Sequence, residues 1–136
     1  MKTWTWMVVA LLLVPGLGNA ETQRCDGDGN QLELNFCAAD DAEAADKELN
    51  TVYRAVIRLL EGDTLAIQRL REAQRLWVKL RDADIEARYP VPDGEDYRMH
   101  YGSMYPLLVD SAKAETTRAR TAWLRTHFLE REEGQF

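Results

Sequence analysis

A chain of 136 residues, 46% hydrophobic and 29% charged, with a formal net charge of −6, suits one small domain with a modest core. The acidic balance argues against nucleic acid and anionic membrane as partners and is compatible with a basic protein partner. Few β-branched residues beside dense Ala, Leu, Arg, Glu and Asp argue against a sheet protein and for helices.

The first element reads as a leader. Lys2, the apolar run from Met7 to Val14 and the small residues of Gly18-Asn19-Ala20 follow the order of a cleavable export signal over residues 1–20. The apolar run is short of the about 20 residues a membrane span needs. No cysteine follows the cleavage point directly, which disfavours a lipid anchor. The expected product is an exported domain over 21–136, periplasmic or secreted and without a membrane attachment.

Cys25 and Cys37 come next, the only cysteines of the chain. An even count in an exported protein favours a disulfide, here one closing an N-terminal loop. Their spacing matches neither a C-x-x-C redox pair nor a zinc framework, so a structural bridge is preferred over either. By loop closure it would contribute roughly 2–3 kcal/mol. Between them, Asp26-Gly27-Asp28-Gly29-Asn30 resembles the start of a calcium loop, but Gln31 and Cys37 stand where that loop needs glycine and glutamate. A turn is the better reading, and no metal or cofactor is expected.

Three long helices follow, predicting an all-α three-helix bundle: an antiparallel hairpin plus a third long helix. The first is expected from about Phe36 to Glu61, with Leu49, Tyr53, Val56, Ile57 and Leu60 at helical spacing. Gly62-Asp63-Thr64 ends it and caps the second, expected from Thr64 to Arg88. The third is expected from Ser103, as N-cap, towards Leu129, with Pro106 tolerated in its first turn.

The second helix has an unusual inner stripe. Leu70, Gln74, Trp77 and Arg81 share one face, so an amide and a guanidinium sit beside a tryptophan. Folding the hairpin about residues 62–63 sets Asp46 level with Arg81, and Asn50 level with Gln74 and Trp77. The expected network is an Asp46–Arg81 ion pair with Asn50 and Gln74 completing it. On the third helix Ser111, Glu115 and Arg118 are expected on the inner stripe, Glu115 being a second candidate partner for Arg81. Such a network either fixes helix register or forms a ligand or partner site.

Two stretches carry a family resemblance. Ala45-Asp46-Lys47-Glu48-Leu49-Asn50-Thr51-Val52-Tyr53, then Ala73-Gln74-Arg75-Leu76-Trp77 and Arg81-Asp82-Ala83, resemble the LprI N-terminal domain family. Gly102-Ser103-Met104-Tyr105-Pro106, with Arg118, Arg120 and Leu124, resembles its last helix and the approach to it. The resemblance spans most of the exported chain and implies a small exported helical domain of bacteria, in a family named for a lysozyme inhibitor. It also implies two further cysteines that are absent here, Ile85 and Ala112 standing in their places.

The inhibitor function so implied needs no catalytic group. It needs an element that fills a carboxylate-bearing cleft and a surface that suits a basic enzyme such as lysozyme or a related muramidase. The irregular segment from Tyr89 to Gly102 supplies a candidate in Tyr89, Tyr97, Arg98, Met99, His100 and Tyr101, since aromatics, Met and Arg favour interface centres. The same tyrosines could simply cap the end of the bundle. The alternative function is an envelope structural or adaptor protein that binds another exported protein without inhibiting an enzyme. Catalysis is not expected: Ser103, Ser111, His100 and His127 show no triad spacing, and bridged cysteines are not nucleophiles.

Overall fold

The computed structural model describes residues 29–130. Among them the fold is helical throughout, with α1 over Gln31–Leu59, α2 over Thr64–Arg88, a short α3 over Tyr97–Tyr101 and α4 over Tyr105–Leu124. A 3₁₀ turn at Gly102–Met104 leads into α4, and a π turn at Arg125–Leu129 extends it. The expected leader, Cys25, Asp26 to Asp28 and residues 131–136 lie outside the described residues.

α1 starts five residues earlier than periodicity predicts, because Asn30 builds a capping box. Its Oδ1 accepts from the Leu32 and Glu33 backbone N–H groups at 3.0 and 3.2 Å, and Glu33 Oε2 accepts from Asn30 N at 3.1 Å. Cys37 is therefore a helical residue, and the expected N-terminal loop gives way to helix from Gln31 onward. α1 and α2 are joined by a tight turn in which Gly62 takes φ +102°, a value costly for any side chain, and Asp63 accepts from Ala66 N at 2.9 Å. α2 has the bounds the sequence predicts. α4 begins two residues later than expected: Ser103 belongs to the 3₁₀ turn, its carbonyl accepting from Asn35 Nδ2 at 3.0 Å, and no side chain caps α4.

The tightest pair is α1 with α4, and the two run parallel: Asn35 meets Ser103, Asp41 meets Arg118 and Glu48 meets Arg125 at successive levels. The reason is residue size. Ala38, Ala42 and Ala45 on α1, and Ala112, Ala114, Thr117 and Thr121 on α4, are all buried and let the backbones approach. Larger groups fill the far end, where Leu49, Val52, Val56, Leu70 and Leu124 form the main cluster, flanked by Tyr53, Ile57, Leu60, Trp77 and Phe128. α2 runs antiparallel to both and stands further off, reaching them through long side chains.

This arrangement corrects one expectation. The inner stripe of α4 is Ala114, Thr117, Thr121 and Leu124, whereas Ser111, Glu115 and Arg118 are exposed. Arg118 instead bridges outward to Asp41, donating from Nη1 to Oδ2 at 3.0 Å. Ile85 and Ala112 are both buried. Among the described residues no helix is long and apolar enough to cross a membrane.

Candidate partner-binding site

The polar residues of α2 are used in two separate clusters. Arg81, only 9% exposed, ties three elements together. Its Nη1 donates to Asp46 Oδ1 on α1 and to Thr117 Oγ1 on α4, each at 3.4 Å, and its Nε donates to Asp82 Oδ1 at 2.9 Å. Trp77, one turn earlier, presents its ring 5.3 Å from the guanidinium carbon. Arg81 thus sits with its charge answered from both neighbours and its own helix.

The second cluster centres on Arg120 of α4. Its Nε donates to Gln74 Oε1 at 3.1 Å, and its guanidinium carbon lies 4.6 Å from the Trp123 ring centre and 5.8 Å from that of Trp77. Nη2 is buried without a hydrogen-bond acceptor, and desolvation lowers the arginine pKa from its ordinary value. Trp77, Leu80, Arg81, Asp84, Arg120 and Trp123 line a pocket of about 330 Å³ between α2 and α4. Two tryptophan walls with two guanidiniums suit binding of an apolar or aromatic group with an acidic edge.

Two members of the expected network are exposed and sit outside the Arg81 pairing. Asn50 is exposed but lies level with Gln74 as expected, the two lining one shallow pocket with Tyr53, while the Gln74 carbonyl oxygen accepts from Arg120. Glu115 is exposed too and pairs with Arg88 at 3.4 Å rather than with Arg81. α1 turns its alanine stripe to α4, which leaves Asp46, Tyr53 and Ile57 half-buried beside α2, with Asn50 on the same side but open to solvent. Arg120, Trp123 and Thr117 are the residues the sequence reading missed at this cluster. The Arg120–Trp123 spacing on one helical face was the available signal.

The segment between α2 and α4 lies at the opposite end from the Gly62 turn, beside the start of α1. Its tyrosines brace one another. Tyr97 stacks on Tyr105 at 4.6 Å between centres, Tyr101 lies tilted at 5.5 Å from the same ring, and Tyr89 meets Tyr101 edge-on at 6.1 Å. Tyr101 Oη donates to the Pro90 carbonyl at 3.1 Å. Asp96 caps α3 by accepting from Arg98 N at 2.8 Å, and Gly102, at φ +60°, turns the chain out of α3. Arg98 lies over Tyr97 and pairs with Asp96 at 3.3 Å, while His100 Nε2 sits 2.7 Å from Glu95 Oε2. Met99, 82% exposed, is the large apolar group this frame holds furthest into solvent. Among the described residues no group of three or more His, Cys, Asp or Glu side chains could hold a metal ion.

Comparison with known proteins gives a consistent result. A family model described as lysozyme inhibitor LprI matches residues 22–124. An uncharacterized protein of Rhizobium meliloti (strain 1021) is 37% identical over 107 residues, covering 71% of this chain and 72% of that protein. No solved structure matches.

Proposed function

The chain belongs to the lysozyme inhibitor LprI family, and from that premise we propose that it is an exported helical binding protein that inhibits lysozyme or a related muramidase by occluding its cleft. The observation that carries the reading is the braced segment between α2 and α4. Its stacked tyrosines hold Met99 outward at low entropic cost, with Arg98 and His100 on either side. An apolar tip beside the Arg98 guanidinium, which Asp96 shares, suits a cleft whose floor carries carboxylates, and the chain's net charge of −6 favours encounter with a basic enzyme. Export through the residue 1–20 leader, and a Cys25–Cys37 bridge anchoring the start of α1, belong to the same proposal.

The test is hydrolysis of bacterial cell walls by several lysozyme types, each with micromolar excess of the purified exported chain. The expected result is loss of activity against at least one type, relieved when Met99 is changed to Asp. Full activity in every case would remove inhibition as the function. A second reading, an adaptor for another exported protein, draws support from the Trp77–Trp123 pocket. It lies along α4 several turns from the tyrosine segment, where cleft occlusion has no use for it.

A further inference from the structure

α2 contributes little to the core for its length: of its 25 residues only Leu70, Arg81 and Ile85 are buried. Leu65, Leu76 and Leu80 are 63%, 60% and 58% exposed, and Ala83 and Ala87 are exposed as well. Leu76, Leu80, Ala83 and Ala87 recur at helical spacing, so they form one apolar stripe on the outer side of α2, with Leu80 at its edge where it also borders the pocket between α2 and α4. Isolated exposed leucines need no explanation; an aligned stripe does.

The charges beside the stripe are divided along the helix. Before Leu80 come Arg69, Arg71, Arg75 and Lys79, with Glu72 the one acid. After it come Asp82, Asp84 and Glu86, with Arg88 at the end, while Arg81 is drawn inward to Asp46 and Thr117. A helix that is basic in one half and acidic in the other complements a reversed copy of itself.

We propose that the outer face of α2 is the seam of an antiparallel homodimer, with its two-fold axis beside Leu80. In that register Leu80 meets Leu80 of the partner subunit, and Leu76 meets Ala83 of the partner subunit. In an antiparallel pair each flank meets the same flank of the other helix. Arg75 therefore faces Glu86 of the partner subunit, Lys79 faces Asp82 of the partner subunit, and symmetry repeats both pairs. A parallel pair would set each flank against the opposite flank of the partner, which separates Arg75 and Lys79 from Glu86 and Asp82 of the partner subunit. The proposal stands independently of lysozyme inhibition, since the tyrosine segment lies at the C-terminal end of α2, beyond the stripe.

Sedimentation velocity on the purified exported chain, from one to several hundred micromolar, tests it. The expected result is a monomer–dimer equilibrium that weakens with added salt. Leu80→Asp, at an exposed site, leaves the helical circular dichroism unchanged and raises the dissociation constant by roughly tenfold or more. Arg75→Glu and Glu86→Arg each weaken the dimer, and the double variant, which restores both pairs with reversed sign, recovers it. A chain that stays monomeric across the range overturns the proposal, as does a dimer indifferent to Leu80→Asp. A double variant no tighter than the single ones overturns the antiparallel register.

Discussion

Arg81 offers the sharpest test of how the helices are held in register. Its guanidinium is buried, yet its acidic partners are not: the Asp46 and Asp82 side chains are 38% and 54% exposed. Removing Asp46 therefore does not orphan a buried charge, because Asp82 at 2.9 Å and Thr117 at 3.4 Å remain. The longer 3.4 Å contact and the hydrated carboxylate put the cost of Asp46→Ala at about 1 kcal/mol. Arg81→Ala empties a buried volume beside Trp77 as well, and is expected to cost about 3 kcal/mol. Arg81→Met refills that volume and removes the desolvation of the guanidinium, bringing the loss back to about 1 kcal/mol. A double-mutant cycle on Asp46→Ala and Arg81→Met should then give a coupling of about 0.5–1 kcal/mol by urea unfolding followed at 222 nm. A coupling indistinguishable from zero would mean the ion pair adds nothing to the hairpin. An Asp46→Ala loss as large as that of Arg81→Ala would mean the guanidinium depends on Asp46 alone, contrary to its three partners.

Three further outcomes follow from the packing and the charges. Ala45→Leu, at a site 1% exposed in the α1–α4 seam beside Ala114, should cost about 1–3 kcal/mol in thermal or urea unfolding, because the parallel pair has no room to separate. Asp41 is held below the ordinary aspartate value of 3.8 by its hydrogen bond from Arg118, so this pair stabilises the fold above that pH and is lost as pH falls through the folded value. Asp41→Asn should accordingly flatten the acid side of the stability–pH profile and lower stability near pH 7, while a profile parallel to the parent's would refute the linkage. Arg120→Met exchanges one hydrogen bond and two ring contacts for relief of a desolvated, incompletely partnered guanidinium, so unfolding should shift by less than about 1 kcal/mol in either direction.

What the sequence made legible was local, and what it hid was the choice between neighbours. The bounds of α2 follow from Gly62, Asp63 and the prolines after Tyr89, because caps and breakers act within a few residues of themselves. The level at which Asp46 meets Arg81 was legible for a related reason: a short turn fixes the register of two antiparallel helices once their lengths are known. Which helix packs most tightly against α1 was not fixed by chain proximity. Large apolar residues draw attention as core, yet Ala38, Ala42 and Ala45 determine the seam by their absence of bulk, and they select α4 although α2 is next in the chain. That choice leaves α2 standing off and decides which partners the polar residues find. Asn50 stays level with Gln74 but at the surface, Gln74 is left for Arg120, and Trp123 completes a pocket wall from a helix whose expected inner face was a different one. The tyrosine segment shows the same division. Its aromatic content was plain from the sequence, but only the meeting of Tyr97 with Tyr105 across the Gly102 turn separates the rings that brace the frame from the one side chain, Met99, that the frame holds out to a partner.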